Sequence, residues 1–306
     1  MRIPERLAER VRAAYGADGA EWVRTLPARV AEYAGRWSLT LGPAPLPGAT
    51  LSYLLPATGA DGAPLVLKLS PPTPWAAHEA VALGHWGGAG AVRLEAADPA
   101  GGALLMERAV PGTPLDRLCR RSDEEATRIA AAVIRQLQQA PPTGPADTLP
   151  PITDWTARLG ALPAAGAPLA LRTAVREADA IAADLLAGDG AWTVLHGDLH
   201  QGNVVAAERA PWLAVDPKGV LGPPEAEAAA LLRNPRSWLL ARADRDALTE
   251  RRIRQLADET GFDAVRLRDW GYVLAVVAAC WALEDGEDED VPRWLACADG
   301  IRAARA

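Results

Sequence analysis

The segment "VLHGDLHQGNVV", residues 194 to 205, holds two of the four histidines in the chain, His196 and His200, and one of its two asparagines, Asn203. Two chemistries fit such a run. His196, Asp198 and His200 alternate as H-x-D-x-H, and on a strand residues at that spacing share a face and could converge on one metal ion. A further ligand would have to come from elsewhere, and the other histidines, His78 and His85, lie far upstream. A metallohydrolase is therefore the weaker reading. The stronger one pairs Asp198 with Asn203 and adds Asp216, thirteen residues beyond the asparagine. Phosphoryl transfer needs a carboxylate to orient the attacking hydroxyl, and two oxygen ligands to hold Mg²⁺ against the nucleotide phosphates. These three residues supply that set from two adjacent loops.

The spacing D-x₄-N, then strand, turn, strand and Asp, is that of the kinase catalytic loop and the metal-binding Asp beyond it. Such a site also needs a Lys and a Glu upstream. The chain uses Arg for almost all its positive charge and has only two lysines, Lys68 and Lys218. Lys68 falls inside the apolar run "LVLKLS", where a compact ammonium late in a strand can reach phosphate oxygens. Glu79 follows eleven residues later in "AAHEAVAL", a predicted helix, placed to pair with it.

With these residues in place, the chain resembles the aminoglycoside phosphotransferase family over nearly its whole length, from about residue 20 to 300. "LHGDLHQGNVV", "PWLAVDPKGVLG" and "RLRDWGYVLAVVAACWALEDG" look like the branch of streptomycin 6-phosphotransferases and hydroxyurea resistance kinases. The resemblance implies an α+β, bilobal, protein-kinase-like fold, with a small sheet-containing N-lobe and a larger, mainly helical C-lobe. It implies Asp198 as catalytic base, Asn203 and Asp216 as Mg²⁺ ligands, Lys68 and Glu79 as the phosphate-positioning pair, and His196 and His200 as loop braces. It further implies that "LLMERA" is the hinge, contacting adenine through backbone groups of Glu107 and Ala109 with Met106 packed nearby. The chain departs from the family at three places. No G-x-G-x-x-G precedes Lys68, so "LPGATLSYLLP" would cover the phosphates through Gly48, Thr50 and Ser52. Lys218 stands two residues after Asp216, where it would face phosphate, substrate or solvent. "GPPEAEAA" puts Glu227 where relatives carry Asp.

The expected activity is ATP- and Mg²⁺-dependent phosphorylation of a small hydroxyl-bearing molecule, foremost an aminoglycoside such as streptomycin. Hydroxyurea or a cellular metabolite is the alternative acceptor, and a nucleotide-binding pseudokinase the alternative class. A cationic acceptor would be held by carboxylates on the C-lobe side of the cleft. Glu225, Glu227, Glu284 and Asp285 are the candidates, with the null that they form solvated faces. For the run Glu287 to Asp290 that null is preferred.

The elements that must position these groups are legible in outline. "PERLAERVRAAYG" and "GAEWVRTLPARVAEYAGRW" read as two helices, the first stopping at Gly16 and the second interrupted at Pro27. "TLSYLLPA" with "PLVLKLS", and "VRLEAAD" with "GALLMERA", read as strand pairs around a helix at "AAHEAVALGHWG". This places an N-terminal lobe at 1–107 and a helical lobe at 108–306. Into the second is set one β unit with a turn at Glu208 and Arg209; "PPTGPADTLPP" reads as a loop and "EAEAAALLRNP" as a helix. A net charge of −7 argues against a nucleic-acid surface. Three cysteines without C-x-x-C spacing suggest neither disulfides nor zinc. A charged N-terminus and the lack of a long apolar run point to a cytoplasmic protein without membrane partner, and no obligate protein partner is evident.

Overall fold

The computed structural model describes residues 3–140, 148–161, 167–188 and 190–306. Helix α1 (Glu5–Arg36) is broken at Gly16, whose φ of 55° and ψ of −126° lie outside the helical region. Only glycine takes such a conformation readily. The chain reverses there: a Cβ added at Gly19 would lie 2.3 Å from the carbonyl oxygen of Val11, so the two arms run side by side. The two expected helices are thus one hairpin. The helix continues through Pro27, because burial of Trp22, Leu26 and Val30 on either side outweighs the lost N–H.

Strands β1 (Thr40–Leu41), β2 (Tyr53–Thr58), β3 (Pro64–Leu69), β4 (Leu94–Asp98) and β5 (Ala103–Glu107) form one antiparallel sheet ordered β1-β2-β3-β5-β4. Alternation along β3 gives its faces different duties. Leu67 and Leu69 pack with Trp22, Leu26, Tyr53 and Leu55 under α1. Val66, with Leu104 and Met106 of β5, belongs to the main core, and this is the face that carries Lys68. Helix α2 (Pro74–Trp86) starts on a proline, which lacks only an N–H that the first turn would leave unpaired anyway, and stops at Gly87 in the left-handed region.

After β6 (Pro111–Pro114) the chain is mainly helical: α3 (Asp116–Cys119), α4 (Asp123–Gln139), α5 (Thr153–Ala161) and α6 (Leu169–Leu186). The buried Ala126, Ala130, Ile134 and Leu137 of α4 lie on one helical face. Strands β7 (Thr193–Leu195), β8 (Val204–Ala207), β9 (Trp212–Ala214) and β10 (Val220–Gly222) form two small sheets, β10-β7 and β6-β8-β9. They carry the loops that hold the predicted catalytic residues. The segment expected as one helix at "EAEAAALLRNP" is a 3₁₀ turn, Pro224–Ala228, followed by short α7 (Ala229–Leu232). Helices α8 (Arg236–Leu240), α9 (Arg245–Thr260), α10 (Ala264–Glu284) and α11 (Val291–Ala303) complete the chain. In α10 every residue from Trp270 to Cys280 is buried, with helices packed around it.

Arg252 of α9, fully buried, fixes this half. It pairs with Asp123 of α4 at 2.5 Å and donates to the carbonyls of Leu231 and Asn234 at 2.8 and 2.7 Å. The loop expected at "PPTGPADTLPP" falls mostly outside the described residues. Among those described, no helix is long and apolar enough to cross a membrane.

Candidate active site

Lys68 is the centre of a buried charge cluster. Its ammonium lies 2.8 and 2.6 Å from the two carboxylate oxygens of Glu79 in α2, and 2.5 Å from Oδ1 of Asp216. Lys218 stands on the other side of that carboxylate, 3.6 Å from Oδ2. Burial by itself would raise Asp216, but Lys68 and Lys218 outweigh it and hold the carboxyl well below its usual range. Burial likewise opposes charge on Lys68, yet Asp216 and Glu79 keep it firmly protonated. Exposure divides the two carboxylates by role. The side chain of Glu79 is 6% exposed and that of Asp216 is 47%, so only Asp216 can also meet a ligand.

Asp216 has a φ of 61°, a left-handed conformation that costs a non-glycine residue about 1–3 kcal/mol. Asp tolerates it better than most residues. Three residues on, Gly219 lets the chain pass against α2: a Cβ there would sit 2.5 Å from the carbonyl oxygen of His78. That approach brings the Asp216 loop within reach of Lys68.

The loop that bears Asp198 leaves β7 through His196, which is fully buried. Its Nδ1 accepts from the Asp198 amide at 3.3 Å, so Nε2 carries the proton and donates to the Val215 carbonyl at 2.9 Å. Burial drives its pKa down to about 4, so at neutral pH the ring is uncharged in that single tautomer. The imidazole therefore ties the loop bearing Asp198 to the residue preceding Asp216. His200 takes the Gly202 amide on Nδ1 at 2.9 Å, and the Asn203 side chain donates to the Asp198 carbonyl at 3.0 Å. With both His196 nitrogens engaged, H-x-D-x-H is not a metal site. Among the described residues no group of three or more His, Cys, Asp or Glu is placed to hold an ion. Mg²⁺ on nucleotide phosphates needs no such group, because one or two protein oxygens and the phosphates suffice. Asp216, already facing two cations, and the side-chain carbonyl of Asn203 fit that requirement.

In the segment expected to form the hinge, Met106 is buried in the core and the Glu107 carboxylate binds Arg209 at 2.8 Å. The Glu107 amide donates to the Arg93 carbonyl, whereas the Ala109 amide has no protein acceptor among the described residues. Ser52 pairs with Ser70 at 2.8 Å, and Thr50 is exposed.

A sequence-family model described as "Aminoglycoside/hydroxyurea antibiotic resistance kinase" matches residues 36–286. This chain belongs to that family. It is 33% identical over 305 residues to a streptomycin 6-kinase of Streptomyces glaucescens, covering 99% of this chain and 97% of that one. It is 37% identical over 293 residues to a hydroxyurea phosphotransferase of Kitasatospora aureofaciens, covering 94% and 82%. Among solved structures, aminoglycoside phosphotransferase APH(4)-Ia superposes with a TM-score of 0.64 at 15% identity, over 92% of this chain and all of that one. The kinase accordingly has the bilobal, protein-kinase-like fold, and it is a small-molecule phosphotransferase.

The four carboxylates expected to hold the acceptor stand apart from one another in function. Glu227 is a correction. It is 2% exposed, and its oxygens accept from the backbone amides of His196 and Gly197 at 2.7 and 3.3 Å, so it braces the loop that bears Asp198 and is closed to an acceptor. Burial raises its pKa to about 7 against those amide contacts. Glu225 pairs with Arg266 at 2.9 Å, Glu284 with Arg158 at 3.3 Å, and Asp285 is exposed at the end of α10. Sequence reasoning passed over Arg233. Its guanidinium is buried with Nε and Nη1 lacking acceptors among the described residues; burial lowers its pKa, and Asp198 is the charge that most favours its ionised form. "LLRNP" gave no signal beyond an ordinary helix end.

Proposed function

We propose that this kinase transfers the γ-phosphoryl group of ATP, with Mg²⁺, to a hydroxyl of an aminoglycoside of the streptomycin kind. The observation that carries the reading is the convergence of Lys68, Glu79 and Asp216 in one cluster, with the Asp198 loop tied to it through His196. Asp216 and Asn203 would hold the metal, which supplies positive charge against the phosphate oxygens. Lys68, oriented by Glu79, would position the phosphates. Asp198, 31% exposed in its side chain, accepts the proton of the attacking hydroxyl, so the oxygen attacks as its O–H bond breaks. Catalysis on this plan is positioning and electrostatic stabilisation. The Ala109 amide and the Glu107 carbonyl would contact adenine, with the division between lobes near residue 107. All these groups come from one chain, so the reading needs no partner subunit.

The 37% identity to a hydroxyurea phosphotransferase supports hydroxyurea as the second reading of the acceptor. Both are tested by following ATP consumption with streptomycin and with hydroxyurea, and weighing any product by mass spectrometry. The expected result is streptomycin carrying one added phosphoryl group. ATP binding without transfer to either compound would overturn the reading.

A further inference from the structure

Both oxygens of Asp216 already face a cation: Oδ1 is 2.5 Å from the Lys68 ammonium and Oδ2 is 3.6 Å from that of Lys218. A divalent ion held by this carboxylate would stand within a few ångströms of both ammonium groups. Repulsion between charges that close, in a partly buried site, exceeds what a loose and exposed ion pair gains. One ammonium has to withdraw.

The surroundings decide which. Lys68 is buried, and the two oxygens of Glu79 hold it at 2.8 and 2.6 Å. Moving it would strip Glu79 of its partner in the interior. The Lys218 side chain is 37% exposed, and among the described residues its one ion pair is that to Asp216. Its ammonium can leave for the loss of a single long contact.

The Lys218 backbone cannot follow. Its amide donates to the His196 carbonyl at 2.8 Å, and a Cβ added at Gly197 would lie 3.4 Å from the Cβ of Lys218. The stem therefore starts against the residue that precedes Asp198, while its tip rests on Asp216. A flexible four-carbon chain anchored there sweeps the space between the base and the metal carboxylate. That space is where a γ-phosphoryl group would pass from nucleotide to acceptor.

We propose that Lys218 holds the metal position of Asp216 in the nucleotide-free protein and is a catalytic residue once nucleotide is bound. It yields Oδ2 to Mg²⁺, and its ammonium then meets the oxygens of the transferring phosphoryl group. As the acceptor oxygen bonds to phosphorus, its proton goes to Asp198, and the bridging oxygen leaves with ADP and the electron pair of the broken bond. Lys218 offsets charge on the oxygens that stay with phosphorus. The inference rests on the phosphotransfer reading above and adds a second lysine to it. Both lysines of a chain that otherwise uses Arg then serve the phosphates.

The test uses Lys218→Met and Lys218→Arg. Mn²⁺ binding to the nucleotide-free protein, read from the free-ion signal in electron paramagnetic resonance, is expected to be about tenfold tighter in Lys218→Met, since no ammonium competes for Asp216. In the same variant kcat for transfer from ATP to streptomycin is expected to fall about a hundredfold, with KM for streptomycin as in wild type, and to recover in part in Lys218→Arg. A residue that merely supported the loop would weaken both metal binding and turnover. Mn²⁺ affinity unchanged or weaker in Lys218→Met would overturn the exchange, and a wild-type kcat would overturn the catalytic role; the functional reading stands in either case. If Lys218→Met does not fold, the wild-type protein decides. With only two lysines to label with ¹³C at Cε it gives two side-chain signals, and Lys218→Arg shows which is which. The Lys218 signal is expected to shift when Mg²⁺ and a non-hydrolysable ATP analogue are added, and an unmoved signal would overturn the inference. Absence of transfer by wild type to either streptomycin or hydroxyurea would overturn the functional reading, and the inference with it.

Discussion

Where the phosphates are proposed to bind, Glu79, Lys68, Asp216 and Lys218 form a chain of opposed charges, each within 3.6 Å of the next. In the wall of the cavity beside His200, Asp116, Gln201 and Arg236 each have a buried polar atom that no group among the described residues meets. The first arrangement is complete before any ligand arrives, whereas the second leaves hydrogen-bonding capacity unused. The physical reason for the first is the nature of its partners. Phosphates and metal carry fixed, strong charges that a preorganised field can anticipate.

The largest effects should come from the phosphate end. Asp216→Ala should abolish Mg²⁺-dependent nucleotide binding, measured by calorimetry. Tight binding of ATP and Mg²⁺ by that variant would remove its metal role. Asp198→Asn should lower kcat by about a hundredfold or more with nucleotide affinity retained, since it removes a positioned base. Near-normal turnover would break the assignment.

The comparison also predicts different costs to the fold. Lys68→Met leaves Glu79 buried without its partner and should destabilise by about 3 kcal/mol or more in urea unfolding. Asp116→Ala should shift stability by under about 1 kcal/mol, since it breaks no short ion pair. Equal losses would show that the two ends are built alike.

The smallest effect belongs to the loop brace. Glu227 has a folded pKa of about 7 against an ordinary 4.5. The folded state therefore holds the extra proton between those values. Its contribution to stability is full below about pH 4.5 and is lost as pH rises through 7. Glu227→Gln removes that dependence, so its melting temperature relative to wild type should rise from pH 5 to pH 8. A pH-independent difference would contradict the buried carboxylate.

The same contrast explains what could be read from the sequence. Asp198, Asn203 and Asp216 lie within nineteen residues on loops between short strands, and their spacing is nearly the whole of their geometry. Lys68 and Glu79 were legible because a charge in an apolar run asks for a partner. Glu227 was misread because a carboxylate near a motif looks the same whether it faces solvent or backbone amides; its burial is set by a contact thirty-one residues away. The cavity was invisible, since its wall comes from four separated segments that share no pattern. Among the elements, Gly16 marked the break in α1, whereas Pro27 promised an interruption that packing on the sheet overrode. Helix α5 escaped notice as a short run held by tertiary contact, with Trp155 edge-on to Trp281.

The His196 ring has a consequence for observing this enzyme at work. Its Nε2 proton is held by the Val215 carbonyl in a fully buried side chain, and exchange with water requires the loop to open. The rate at which that one proton exchanges is a clock for the opening of the catalytic loop, readable by NMR without substrate, label or mutation.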